Sequence, residues 1–161
     1  MKAKLAVTLL ILVACVSCRS IDAEARGWHD DAKSSHEDAV VVLNNVLDNA
    51  PGDFTQEQID ALKAEFVEHM TETLDKRQKL QNYFIDEKWP NDAIYGHGIL
   101  LQLEQDLWLN HENLFGLWQQ LDGDALDVAK FKEDYRQAIT RSNELLRKVD
   151  EYVRQFKVKG E

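Results

Sequence analysis

Residues 55–84 read TQEQIDALKAEFVEHMTETLDKRQKLQNYF, and their pattern decides the fold. Ile59, Leu62, Phe66, Met70, Leu74, Leu80 and Phe84 recur at helical spacing, with charged residues filling the opposite face. That is the signature of an amphipathic helix with one buried side. Thr55 and Gln58 stand where a capping box places its two reciprocal hydrogen bonds. Trp89-Pro90-Asn91 ends the pattern, because proline disfavours helix in the residue before it. A helix of about 32 residues is about 48 Å long. Its apolar stripe needs neighbours of similar length.

The neighbours are legible on both sides. Trp28, Ala32, Ser35, Ala39, Leu43, Val46 and Ala50 mark a first helix from about Trp28 to Asn49, closed by Pro51-Gly52. A third runs from about Asn91 to Leu121, stopped by Asp122-Gly123-Asp124. A fourth carries Val128, Phe131, Tyr135, Ala138, Ser142, Leu145, Val149, Tyr152 and Phe156. No alternating run competes as a strand. Four amphipathic helices with short connections predict an all-α, antiparallel up-down four-helix bundle. A long hairpin of the second and third helices that dimerises is the alternative. The first helix reads several turns shorter than the second and fourth, which predicts one end covered by three helices only.

The chain has 161 residues, 44% hydrophobic and 30% charged, with two prolines and seven glycines. That composition suits one globular domain and disfavours disordered or loop-dominated folds. A formal charge of −10 argues against nucleic acid, whose phosphates require a basic face. Acid is concentrated in the first three helices. The fourth ends in Arg147, Lys148, Arg154, Lys157 and Lys159, which either pair with the acidic helices or touch an anionic surface.

The first eighteen residues, MKAKLAVTLLILVACVSC, have a basic start and an apolar run from Leu5 to Ala14. Ten helical residues rise about 15 Å, half of a bilayer core of about 30 Å. This is an export signal rather than a span. Leu12-Val13-Ala14-Cys15 resembles the lipobox of bacterial lipoprotein precursors. The resemblance implies that Cys15 receives a diacylglyceryl group, that the signal is cut before it, and that the new amino terminus is acylated in many species. Cys15-Val16-Ser17-Cys18 is a poorer second match, and Arg19 stands where a haem-attachment motif has His. In Gram-negative lipoproteins, a residue other than Asp after the lipidated Cys implies outer-membrane sorting, here with Val16, and a periplasm-facing domain. The expected organisation is a signal at 1–14, a lipidated Cys15 with a flexible tether at 15–27, and the bundle at 28–161.

The third helix carries two apolar stripes. Gly96, Leu100, Leu103, Leu107, Asn110, Leu114, Leu117 and Leu121 form one. Asn110 in that seam is expected to be buried and bonded to Ser142 or Gln81, fixing register. His97, Leu101, Glu104, Trp108, His111, Phe115 and Trp118 form the other. It is either simply buried or an exposed aromatic docking patch centred on Trp108, Phe115 and Trp118. His97, Glu104 and His111 are candidate metal ligands, but residues seven apart lie about 10.5 Å apart along a helix. Ligands from His36, Glu37, Glu65, Glu68 or His69 would have to complete such a site.

Phe54-Thr55-Gln56-Glu57-Gln58 resembles the L-T-x-x-Q element of small helical periplasmic stress chaperones, over five residues that also form the capping box. Those proteins are rich in Met and basic residues, unlike this one. No phosphate loop, G-x-S-x-G or H-E-x-x-H motif is present, so no catalytic residue is assigned and no cofactor beyond the lipid on Cys15. The expected function is a membrane-anchored, non-catalytic module that binds an envelope or incoming protein. A helical binder of a small ligand or metal is the alternative.

Overall fold

The computed structural model describes residues 19–50, 52–119 and 125–160. Helices α1 (Ala23–Asp48), α2 (Gln56–Asp86), α3 (Asn91–Gln119) and α4 (Ala125–Val153) are flanked by the short strands β1 (Ser20–Ile21) and β2 (Lys157–Val158). Each helix packs on the next, and α1 also packs on α4, giving an all-helical bundle. The signal, Cys15, Cys18 and the Asp122-Gly123-Asp124 turn lie outside the described residues. No described helix is long and apolar enough to cross a membrane.

Local chemistry sets the helix ends. Gln58 donates its backbone N–H to Thr55 Oγ1, while Thr55 donates its own to Gln58 Oε1, completing the capping box. At the other end of α2, Lys88 adopts a left-handed φ of 51°. The Lys88 N–H reaches the Ile85 carbonyl at 3.1 Å and the Trp89 N–H reaches that of Phe84 at 2.8 Å. This is a Schellman motif with lysine at the position glycine usually takes. Its accompanying apolar contact is the Phe84–Trp89 ring pair, 4.6 Å between centroids.

Residues 19–27 are not a flexible tether, which corrects the boundary read from sequence. Ser20 pairs with Lys157 and Ile21 with Val158 in a parallel two-stranded sheet, and Ile21 is fully buried. Asp22 donates its N–H to Tyr83 Oη at 3.1 Å, and Arg26 donates to the carbonyls of Val153 and Phe156 at 2.8 and 2.6 Å. The arriving chain is thus clasped to α2 and to the far end of α4. Helix α1 begins at Ala23, not Trp28. Its 26 residues fall only three to five short of the other helices, which have 29 to 31.

The apolar core divides in two. One cluster joins Ala39 to Leu47 of α1 with Ile59, Phe66, Met70, Leu107, Leu114, Phe115, Tyr135 and Ile139. The other, at the clasped end, gathers Ile21, Ala25, Leu80, Phe84, Trp89, Leu100, Val149, Val153 and Phe156.

Candidate functional site

Between the two clusters, every helix turns polar groups inward. His29 and His36 of α1, Arg77 of α2, His97 and Glu104 of α3, and Ser142 of α4 are all fully buried. Periodicity places them there. Met70, Thr73, Arg77, Leu80 and Phe84 continue one stripe of α2 at three- and four-residue steps, and all five are buried. The inward path therefore runs through Thr73 and Arg77; Leu74 is only half-buried.

Partner chemistry defines the bonding. The Arg77 Nε–H is shared between the Glu104 oxygens at 3.2 and 3.1 Å. His29 Nε2 lies 2.9 Å from Asp150 Oδ1, and Nδ1 lies 3.4 Å from Arg77 Nη1. A carboxylate only accepts and a guanidinium only donates, so the ring carries its proton on Nε2. His97 Nε2 donates to the Arg77 carbonyl at 2.9 Å, which selects the same tautomer. His36 reaches Asn143 Oδ1 through Nε2 at 2.9 Å and faces Glu104 Oε1 through Nδ1 at 3.2 Å. Arg77 Nη2, His97 Nδ1, Ser142 Oγ and Gln81 Oε1 have no protein partner among the described residues.

Burial sets the protonation of the layer. It lowers His29 to about 4, with the neighbouring Arg77 charge lowering it further against the Asp150 bond. His97 falls to about 3, again chiefly by burial and then by Arg77. Partial burial raises the Asp150 carboxyl, but bonds from His29, Lys33 and Arg154 outweigh that and hold it well below the ordinary carboxylate range. His29 and His97 are therefore neutral imidazoles beside one buried ion pair near pH 7. Such a layer specifies register among helices and takes up protons on acidification.

The residues singled out from sequence are distributed differently. His97 and Glu104 belong to this layer. His111 does not: it packs 5.6 Å from the Phe66 ring in the other cluster and bonds through Nδ1 to the Trp108 carbonyl. The three therefore form no common site. Among the described residues, His29, Asp30 and Asp150 are the one set whose ligand atoms lie within 4.8 Å of one another. Arg154 already spans those two carboxylates, at 2.8 Å from Asp150 and 3.1 Å from Asp30, and Lys33 holds Asp150 at 3.0 Å. That seam carries its own cations.

Neither Trp108 nor Phe115 is openly exposed. Phe115 is fully buried, and Trp108 is half-buried, 6.5 Å from the Phe66 ring. The Trp118 side chain lies outside the described residues. Asn110 is exposed and donates to the Asp106 carbonyl one turn back, with no bond to Ser142 or Gln81. The seam's periodicity carries it to the rim, where an amide is solvated. At the basic end, Arg154 pairs with Asp30, Lys159 with Asp22 and Glu87, and Arg147 with Glu151.

Sequence reading missed Arg77, His29 and Asp150. The signal for Arg77 was the unbroken spacing of α2, obscured because a charged residue at a core position reads as an interruption. The apolar side chains that do reach solvent on α3 are Tyr95, Ile99 and Leu109, at 69%, 56% and 69% exposure.

No known protein family, curated protein or solved structure matches this chain.

Proposed function

We propose that this chain is a lipid-anchored, envelope-facing helical module that binds another envelope protein or an incoming one and catalyses no reaction. The observation that carries the binding half is the outer face of α3. At about 100° per residue, Tyr95, Ile99 and Leu109 fall within an arc of about 80°. Residues 91–119 contain no Lys or Arg. Gln102 and Asp106, exposed and bonded to each other at 3.0 Å, stand between Ile99 and Leu109 on that arc, so the strip is two apolar ends joined by a polar, acidic middle. A surface of that kind suits a protein contact.

Leu12-Val13-Ala14-Cys15 supports the anchor. Only residues 16–18 separate Cys15 from Arg19, which bonds to the Lys88 carbonyl at 3.1 Å. Four Cα steps reach about 14 Å at most, so the clasped end would sit close to the membrane surface. The bundle in this reading runs up and down. As α1 advances through His29, His36 and Leu47, its partners on α4 recede through Asp150, Asn143 and Arg136. Outer-membrane placement facing the periplasm follows from Val16 where Gram-negative sorting operates.

Cells fed a clickable fatty acid test the anchor, followed by affinity capture from their membranes to test the strip. Wild type is expected to carry the label and capture a discrete protein. Cys15→Ser loses the label, and Tyr95→Ser with Leu109→Ser keeps it but loses the captured protein. Label retained in Cys15→Ser and lost in Cys18→Ser would move the anchor. Capture unchanged in the double variant would overturn the strip.

A further inference from the structure

We propose that the groove between α3 and α4 above Gly96 is a binding site for a segment of one acyl chain of the lipid on Cys15. This inference rests on the anchored reading above. The groove encloses about 180 Å³, and its walls include Phe84, Ala93, Leu145, Val149, Tyr152 and Val153. The charged residues of its lining are Asp92 and Lys148. An aliphatic chain matches such walls, because it brings no polar group that would lose its hydration.

Gly96 keeps the groove open. A Cβ built there meets nothing within 4 Å, and its φ is an ordinary one. Neither close packing nor backbone conformation therefore requires glycine at that position, although glycine weakens a helix interior. Its effect on the surface is to leave the space between Ala93 and Val149 unfilled.

The occupant follows from where the chain enters. Arg19 lies over the Trp89 ring at 5.9 Å. Trp89 in turn packs 4.6 Å from Phe84 and 6.3 Å from Tyr152, two walls of the groove. One indole thus separates the entering chain from the groove, and Cys15 lies within about 14 Å of Arg19 by chain length. Stable anchoring takes two membrane-binding signals, so a lipid with several chains can spare one to the protein.

Metabolic labelling of the full chain with a diazirine fatty acid, irradiation and peptide mapping test the proposal. Cross-links from Cys15-borne lipid to peptides holding Ala93, Val149 or Tyr152 are expected in wild type. Gly96→Phe, which fills the groove where space is open, should lose at least nine-tenths of them while its helical circular dichroism is unchanged. Labelled Cys15 with no cross-link to those peptides overturns the groove and leaves the anchor standing. Equal cross-linking in Cys15→Ser would assign the groove to a free or membrane lipid and overturn Cys15 as the source. Absence of label on Cys15 overturns both readings.

Discussion

Glu104 and Arg77 show how a single pair can govern a bundle. Both are fully buried, and removing one partner strands the other's charge without water, a loss of about 3–5 kcal/mol. Glu104→Gln is therefore expected to lower stability by about 3 kcal/mol in urea titrations. Replacing both by apolar residues of similar volume, Arg77→Met with Glu104→Leu, should cost less than either single change, because no charge then remains to desolvate. A single variant within about 0.5 kcal/mol of wild type would show that water already reaches the pair. His29 has a comparable constraint. Its Nδ1 faces a guanidinium and its Nε2 a carboxylate, so one neutral tautomer alone satisfies both.

Among the elements, the α2–α3 connection stores identifiable strain. Lys88 holds a left-handed φ at the Schellman position, where a side chain crowds the backbone. Lys88→Gly should raise stability by about 1 kcal/mol, the scale of a left-handed penalty relieved in glycine. Differential scanning calorimetry checks it, and a lower melting temperature would mean that the lysine's own contacts outweigh the strain. The two-residue strands are the opposite case. They have no detectable period, yet Ile21 pairs across nearly the whole chain and converts an apparent tether into part of the fold. Helix existence was readable because apolar spacing is a local property. The clasp was not, because its partners, Ser20 with Lys157 and Ile21 with Val158, stand at opposite ends of the described sequence.

For the molecule as a whole, the buried histidines set the pH response. His29 and His97 have folded values of about 4 and 3, below the ordinary 6.5. The unfolded chain therefore binds protons first as pH falls. The stability they contribute is complete above about pH 6.5 and is lost progressively down to the folded values. Asp150, also depressed, adds loss of the same sign at lower pH. Between pH 7 and pH 5 each histidine should cost about 2 kcal/mol. Urea midpoints at the two pH values measure the total, and His97→Gln should remove about half of the difference. Identical midpoints for wild type at pH 7 and 5 would contradict this account.

Periodicity, caps and breakers determined that this chain forms four long helices with a mostly apolar interior, since each is a property of residues within a turn or two of one another. The lipobox resemblance belongs to the same local level. Only the tertiary structure decided which polar residues go inside. Arg77, His29 and Asp150 sit on three different helices, and their spacing along the sequence carries no sign that they meet. The rotation of α3 likewise decided that Phe115 is buried and Tyr95, Ile99 and Leu109 reach solvent. Those last three belong to neither of the two stripes legible on α3, whose sequence is apolar on several sides, and the packing of neighbours alone distinguishes the covered arcs from the open one.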